Sequence, residues 1–376
     1  METSQQLMKG AVDASDLAEL VRGPGPYLSL YLNTESHVEN AAQRSEVRWK
    51  TVRSDLERQD VPETVLDEIE ALVPDAHLEA ECLAVIADAE RILHIEQGTA
   101  LGPNDEATWD ALPRVLPIVR WRQSDPPYVV VLTDRTGADL FAVVRGLPDV
   151  IRDEVEGEHD VIRKPKPGGW SQQRYQRRAE DSWEQNAEQV AEEVTHLVDA
   201  IHPAFVAVAG DVRAVQLLRE SLPERVGQLV HAIDKEIPRK LGSDDPIPDD
   251  VWALVHQHVR EAGERLLAKF EEERGQHDKA VEGVDAAAKA LSRAQVAVLL
   301  VAENEIDREL SFGPEPSLVG PSAQELKELG VDSPAQGKAC EVLVRAALGT
   351  GAALRVLDDH AGIEDGVGAL LRWSTA

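Results

Sequence analysis

YVVVLTDRTGADLFAVVRG, residues 128–146, places two apolar runs on either side of Thr136-Gly137, the pattern of a β-hairpin with glycine at its turn. A polar segment with a helical stripe follows, from about Gln172 to Ala200, where Tyr175, Ala179, Trp183, Ala187, Val190, Val194 and Leu197 recur at spacings of three and four. PAFVAVAGD (203–211) is then a buried strand, AVQLLRESL (214–222) a helix and QLVHAI (228–233) a short strand. A hairpin, a long helix and a strand–helix–strand unit make a layered α/β domain.

Working toward the N-terminus, PYLSLYLNT (26–34) alternates at period two after the breaker run GPGP and reads as a strand. AAQRSEVRWKTVRSDLERQ (41–59) is a helix with Val47, Val52 and Leu56 on its packed face, and PETVLDEIEALV (62–73) is a second helix. ECLAVIAD and RILHIEQG are two strands, LPRVLPIVRW (112–121) is extended and proline-broken, and QSDPP is a linker. Toward the C-terminus, KLGSDDPIPDD (240–250) is a second linker, followed by the helices of 248–275 and 279–294 and the strand VAVLLVAEN. The polar stretch GPEPSLVGPS, the helix KACEVLVRAALGTG, the strand ALRVLD and the closing GIEDGVGALLRWS complete the pattern. The fold class expected is α/β in three domains, 1–124, 125–240 and 245–376, each a mixed sheet packed with helices.

The chain has 376 residues, enough for several domains that each bury a core. Its two cysteines, Cys82 and Cys340, lie in apolar runs and are too few for a zinc site or a disulfide framework. No export signal or apolar run of membrane-spanning length is present, so a cytoplasmic location is expected. Neither GxxxxGK[ST], GxGxxG after a strand, GxSxG nor HExxH occurs, which removes the usual warrants for nucleotide, hydrolase and zinc-protease chemistry. His256 and His258, two apart on a helix, point to different faces, so no metal and no cofactor is expected.

The formal net charge of −30 argues against broad wrapping of nucleic acid. Against it stands IRKPKPGGWSQQRYQRR (162–178), which has no acid between Asp160 and Glu180. Arg163, Lys164, Lys166, Arg174, Arg177 and Arg178 supply its charge, Gly168-Gly169 a backbone that can approach a ligand closely, and Trp170 and Tyr175 faces for stacking. Three arginines in the first turns of a helix oppose the macrodipole, and Arg174 and Arg178 repel each other at i,i+4. Intrinsic helix stability does not select that arrangement, whereas an anionic partner compensates for it. Gly210-Asp211, after the buried strand, reads either as a ligand-facing strand end or as a turn.

The element order, the basic Gly-Gly segment and the ending Gly366–Trp373 resemble the class-1 release factor and Pelota superfamily of archaea and eukaryotes. YLSLYLNTE, GGWSQQRYQRRAE and EDGVGALLRW together resemble its actinobacterial branch, which contains mycobacterial relatives of the Balon-type ribosome hibernation factors. The resemblance implies a three-domain protein of the ribosomal A site that touches ribosomal RNA of the decoding region and the peptidyl-transferase centre. Elongation factor Tu is the delivery partner it suggests, with neither membrane nor DNA involved. It also implies that Gly366–Trp373 closes the third domain as a helix. In release factors a Gly-Gly-Gln loop positions water for peptidyl-tRNA hydrolysis; here Gly168-Gly169 is followed by Trp170-Ser171 before Gln172 and Gln173. The expectation is a ribosome-binding stress or hibernation factor, with a peptidyl-tRNA hydrolase using Gln172 or Gln173 as the alternative.

Overall fold

A computed structural model describes residues 10–23, 25–34, 40–79, 81–98, 105–143, 151–156, 169–233, 249–276, 278–302, 306–358 and 362–374. Along the chain run α1, wound as a 3-10 helix (Ser15–Val21), β1 (Tyr27–Asn33), α2 (Ala41–Glu57), α3 (Glu63–Glu79), β2 (Cys82–Ala87), β3 (Ile92–Gly98), β4 (Glu106–Asp110) and α4 (Leu116–Ser124). There follow β5 (Tyr128–Asp134), β6 (Gly137–Val143), β7 (Ile151–Glu156), α5 (Gly169–Ile201), β8 (Phe205–Gly210), α6 (Val212–Ser221), α7 (Glu224–Gly227), β9 (Val230–Ala232) and α8 (Asp249–Gln276). The last part holds β10 (Ala280–Glu282), α9 (Val284–Ser292), β11 (Val296–Val301), β12 (Glu309–Phe312), β13 (Val319–Gly320), α10 (Ala323–Glu328), β14 (Ala335–Lys338), α11 (Ala339–Gly349), β15 (Ala353–Val356) and β16 (Val367–Leu371).

These elements form two compact units, one of residues 1–124 with 259–376 and the other of 125–258. The sequence divides the chain into three, and the reason for the difference lies in β1 and β2. Leu28, Leu30, Leu32, Leu83 and Val85 pack under α2 and α3 with Trp49, Leu56, Leu66 and Ile69. Tyr31, Ala84 and Ile86 point from the same strands into a second cluster that also contains Leu17, Ile118, Trp121, Leu291, Leu343 and Leu371. A sheet of order β3-β2-β1-β4 is thereby buried on both faces, one of them by the C-terminal segment. Each such large apolar side chain contributes about 1.5–3 kcal/mol, so the two segments share one core.

Arg345 of α11 ties them further: it donates to the backbone oxygens of Val21, Pro314 and Glu315 and lies over the Phe312 ring. Val12 and Leu354 exchange backbone hydrogen bonds of 2.7 and 3.0 Å.

The C-terminal part of this unit carries a sheet of order β10-β16-β11-β15, in which only β11 and β15 run parallel, and a small sheet β13-β12-β14. Gly366–Trp373 is therefore not a closing helix, as the resemblance implies. Val367–Leu371 is the strand between β10 and β11, and at Gly368 a side chain would press on the Phe270 ring.

Three further local expectations are corrected. The second half of LPRVLPIVRW, from Leu116, is the start of α4, with Pro117 in the first turn, where its missing N–H costs nothing. In α2 the packed face is Ala41, Ser45, Trp49 and Leu56, and Val47 is exposed. The polar segment after Val301 contributes β12 and β13 rather than loop alone.

The second unit is built on a five-stranded sheet, β7-β6-β5-β8-β9. β5 and β6 form the expected hairpin, and β5, β8 and β9 run parallel. Val190, Val194 and Val198 of α5 pack on Val129, Val131, Val206 and Val208, and Leu218 of α6 joins the same core. α8 contributes its N-terminal part, up to His258, to this unit. Cys82 and Cys340 are both buried.

Candidate nucleic-acid interface

The strand directions in the second unit determine where its chemistry gathers. β5 ends at Asp134 and β8 at Gly210, side by side, with Thr133 opposite Gly210. β7 runs antiparallel to β6 with Glu156 opposite Gly137, so it finishes at the same end of the sheet. The far end of α5, Ile201, leads through Pro203 to the opposite edge, where Ala204 N donates to Pro127 O at 2.7 Å. Between these limits Asn186 is held at the carboxyl end of β5, its Nδ2 donating to Arg135 O at 3.0 Å. Residues 169–185 of the helix therefore continue past the strand ends, by roughly 25 Å at 1.5 Å per residue.

That projecting part carries the basic stretch. Gly169 opens the helix, three residues earlier than the sequence suggests, so Trp170, Gln172, Gln173, Arg174, Tyr175, Arg177 and Arg178 occupy helical positions. Positions 174, 177 and 178 share one face. Gln172 and Gln173 lie on successive helical positions rather than on a loop. Arg163, Lys164, Lys166 and Gly168 lie outside the described residues.

Beneath the projection, two turns shape a small cleft. Gly210 has φ 129, and a Cβ there would overlap Thr133 O. Only glycine lets the chain turn so tightly here. Asp211 then caps α6, its Oδ1 accepting from Arg213 N (2.9 Å) and Ala214 N (3.2 Å), while its amide donates to Thr133 O at 2.9 Å. The Gly210-Asp211 pair is thus a turn, and α6, which it leads into, supplies one wall of the cleft with Arg213, Ala214 and Leu217. On the other wall Asp134 Oδ1 closes the β5–β6 connection by accepting from Thr136 N (2.7 Å), Thr136 Oγ1 (2.6 Å) and Gly137 N (3.1 Å).

Arg135 bridges the walls. Its Nε donates to Asp211 Oδ2 at 3.1 Å, and its guanidinium sits 4.6 Å from the centre of the Trp183 ring. Asn186 is 3% exposed, and its Oδ1 meets no donor. Thr133, Trp183, Ala187, Val190, Arg213 and Leu217 complete the lining of this narrow cleft.

Sequence reasoning placed Trp183 on the packing stripe and overlooked Arg135, Asn186 and Arg213. They come from three elements far apart in the chain, so only the parallel pairing of β5 with β8 brings them together. Of the histidines, His196 and His256 are exposed, and the His258 ring lies tilted 5.1 Å from Phe205 and edge-on 6.1 Å from His231. Among the described residues no cluster of histidine, cysteine and carboxylate groups suits a metal ion.

The profile of bacterial archaeo-eukaryotic release factor family 2 matches residues 127–276, from β5 to the end of α8. Two uncharacterized proteins of Mycobacterium tuberculosis strains are each 30% identical to the chain over 363 residues, covering 94% of it and 95% of the relative. Similar solved structures include a ribosome-bound archaeal Pelota (12% identity, 100% and 99% of the two chains, TM-score 0.41) and the Pelota of Archaeoglobus fulgidus (14%, 99% and 93%, 0.32). An archaeal translation termination factor is similar at 16% identity over 99% and 98%, with a TM-score of 0.25. Sheet order, helices and matching profile define an α/β protein of the release factor class. The chain belongs to bacterial archaeo-eukaryotic release factor family 2.

Proposed function

We propose that the protein is a ribosome-binding factor of the A site, acting in hibernation or stress, with the projecting start of α5 as its contact to ribosomal RNA. The observation that carries this reading is the position of Arg174, Arg177 and Arg178. In a chain of net charge −30 they sit on one face of a helix that runs beyond its sheet. Cations at a helix N-terminus are unfavourable by about 0.3–1 kcal/mol each at the surface, and phosphate groups laid along that face reverse the sign. Membership of a release factor family supports the same reading, as does the absence among the described residues of any helix long and apolar enough to cross a membrane.

A cytoplasmic location, delivery by elongation factor Tu, and the division of labour in which residues 1–124, 125–240 and 245–376 address different ribosomal regions belong to the same proposal. Binding rather than hydrolysis is its chemistry: no group in the segment suits a general base, and the two glutamines are helical.

Co-sedimentation with ribosomes over a salt series tests it. The combined variant Arg174→Ala, Arg177→Ala, Arg178→Ala should bind more weakly, with a log–log salt slope shallower by up to about 3. Unchanged affinity and slope would remove the proposal's basis.

A further inference from the structure

Helix α5 is held to the end of its sheet at Asn186, and about one turn further out Trp183 meets Arg135 of the β5–β6 turn. From this we infer that Arg135, seated on Trp183, is a positioning residue: with Asp211 it forms a clamp that sets the direction of the projecting start of α5. The inference rests on the RNA reading above and adds to it what aims positions 174, 177 and 178.

Leverage supplies the first argument. Val190, Val194 and Val198 lie in the core and Ala187 is buried, so the sheet holds the part of the helix that follows Asn186. Residues 169–185 then extend by roughly 25 Å at 1.5 Å per residue. A tilt of about 10° at Asn186 displaces the helix start by roughly 4 Å. That exceeds the distance of about 3 Å over which a guanidinium donates to a phosphate oxygen. A core that ends at Ala187 therefore aims the arginines poorly without a further support.

The second is how Arg135 is held. Its backbone oxygen accepts from Asn186 Nδ2 at 3.0 Å, its Nε donates to Asp211 Oδ2 at 3.1 Å, and its guanidinium sits 4.6 Å from the centre of the Trp183 ring. Both of its supports are themselves fixed. Asp134 Oδ1 closes the turn through Thr136 N and Gly137 N, and Asp211 caps α6 while its amide donates to Thr133 O. The side chain is thus a stop tied to β5 and α6 and set against the helix beyond its core.

The third is how little these contacts contribute to the fold. The Arg135 side chain is 52% exposed, that of Asp211 is 29% exposed, and Trp183 is only partly buried. An exposed ion pair and an exposed cation–aromatic contact are each weak, so their loss frees a direction rather than unfolding the unit. Asp211 meets the charge of Arg135, which leaves the phosphate contacts to the arginines of the helix.

The test is pulsed electron paramagnetic resonance on the full chain with nitroxides at Gln176→Cys, in the projecting part, and at Glu220→Cys on α6, together with co-sedimentation with ribosomes over a salt series. Trp183→Ala and Arg135→Leu should each broaden the distance distribution about 2-fold without shifting the denaturation midpoint of the chain, and Trp183→Phe, which keeps a ring under the guanidinium, should stay narrow. Trp183→Ala should bind ribosomes about 10-fold more weakly with an unchanged salt slope, because the arginines are misplaced rather than lost. Unchanged widths in both variants, broadening that comes only with a lower midpoint, or full ribosome affinity despite broadened distances overturns the inference. A salt slope reduced by about 1 in Arg135→Leu does so as well, since it would make that guanidinium a phosphate contact. The distances are read without ribosomes, so they judge the clamp separately from the ribosome reading, which falls with the salt series of the triple arginine variant.

Discussion

Arg122 and Glu96 face each other in the interior of the first unit, with Arg122 Nε at 2.9 and 3.1 Å from the two carboxylate oxygens and Nη2 at 2.6 Å from Oε2. Arg122 also grips Asp16 with both terminal nitrogens, at 2.8 and 2.7 Å. One side chain of α4 thereby fixes α1 and β3 together. Removing one member of a buried pair strands the other charge in the interior. Arg122→Met should lower stability by about 3–5 kcal/mol in denaturant titrations, and Arg122→Met with Glu96→Leu should recover most of that loss. A double variant as unstable as the single one would mean that packing, not charge, dominates the site.

Acid should loosen the same cluster. Burial pushes the Glu96 carboxyl up, but hydrogen bonds from His94 and Arg122 outweigh it and hold the group below its ordinary 4.5. Burial likewise raises Asp16, and the hydrogen bond and charge of Arg122 bring it below 3.8. Carboxyls depressed in the folded state contribute stability that is complete above their unfolded values and lost as pH falls through the folded ones. The denaturation midpoint of the wild type should hold from pH 7 to about 5 and then fall, more steeply than that of the Arg122→Met, Glu96→Leu variant. Parallel curves would exclude the cluster as the origin.

The shared core predicts coupled unfolding. Leu17 of α1 is fully buried in the cluster that contains Leu343 of α11. Leu17→Ala should cost about 2–5 kcal/mol and, by hydrogen exchange, reduce protection in β1 and in β11 to the same extent. Loss confined to the N-terminal segment would restore the three-domain division.

Gln172 and Gln173 should not be catalytic. As helical residues they lack the loop geometry that fixes a hydrolytic water, and positioning tolerates errors of only about 1 Å. The wild type should release little peptide from loaded ribosomes, and Gln172→Ala or Gln173→Ala should change that rate by less than about 3-fold. A brisk wild-type rate that drops about 10²-fold in either variant would establish the hydrolase instead.

What the sequence made legible was apolar periodicity. Tyr128–Thr133, Phe205–Gly210 and Val296–Val301 are buried throughout, and α5 packs through Ala187, Val190 and Val194 of its expected stripe. What it concealed were elements stabilised from outside. β4 (EATWD) and β7 (IRDEVE) are polar edge strands whose partners alone reveal them. α4 hides behind Pro117, which its first turn tolerates, and Gly368 masks a central strand packed against Phe270. For the candidate interface, charge inversion pointed to the helix start, yet nothing local marks Arg135, Asn186 and Arg213 as neighbours. Only strand pairing does so.

The first unit is interrupted in the chain by the second, and this imposes an order on synthesis. When Ser124 has left the exit tunnel, Tyr31, Ala84, Ile86, Ile118 and Trp121 still lack the Leu291, Leu343 and Leu371 that cover them, which are made up to roughly 250 residues later. At bacterial elongation rates that wait lasts about 10–50 s, during which residues 125–258 can complete their own sheet. The nascent N-terminal segment thus spends most of the translation time with one apolar face uncovered, so it is this segment, rather than the basic helix, that should depend on chaperones at the tunnel mouth.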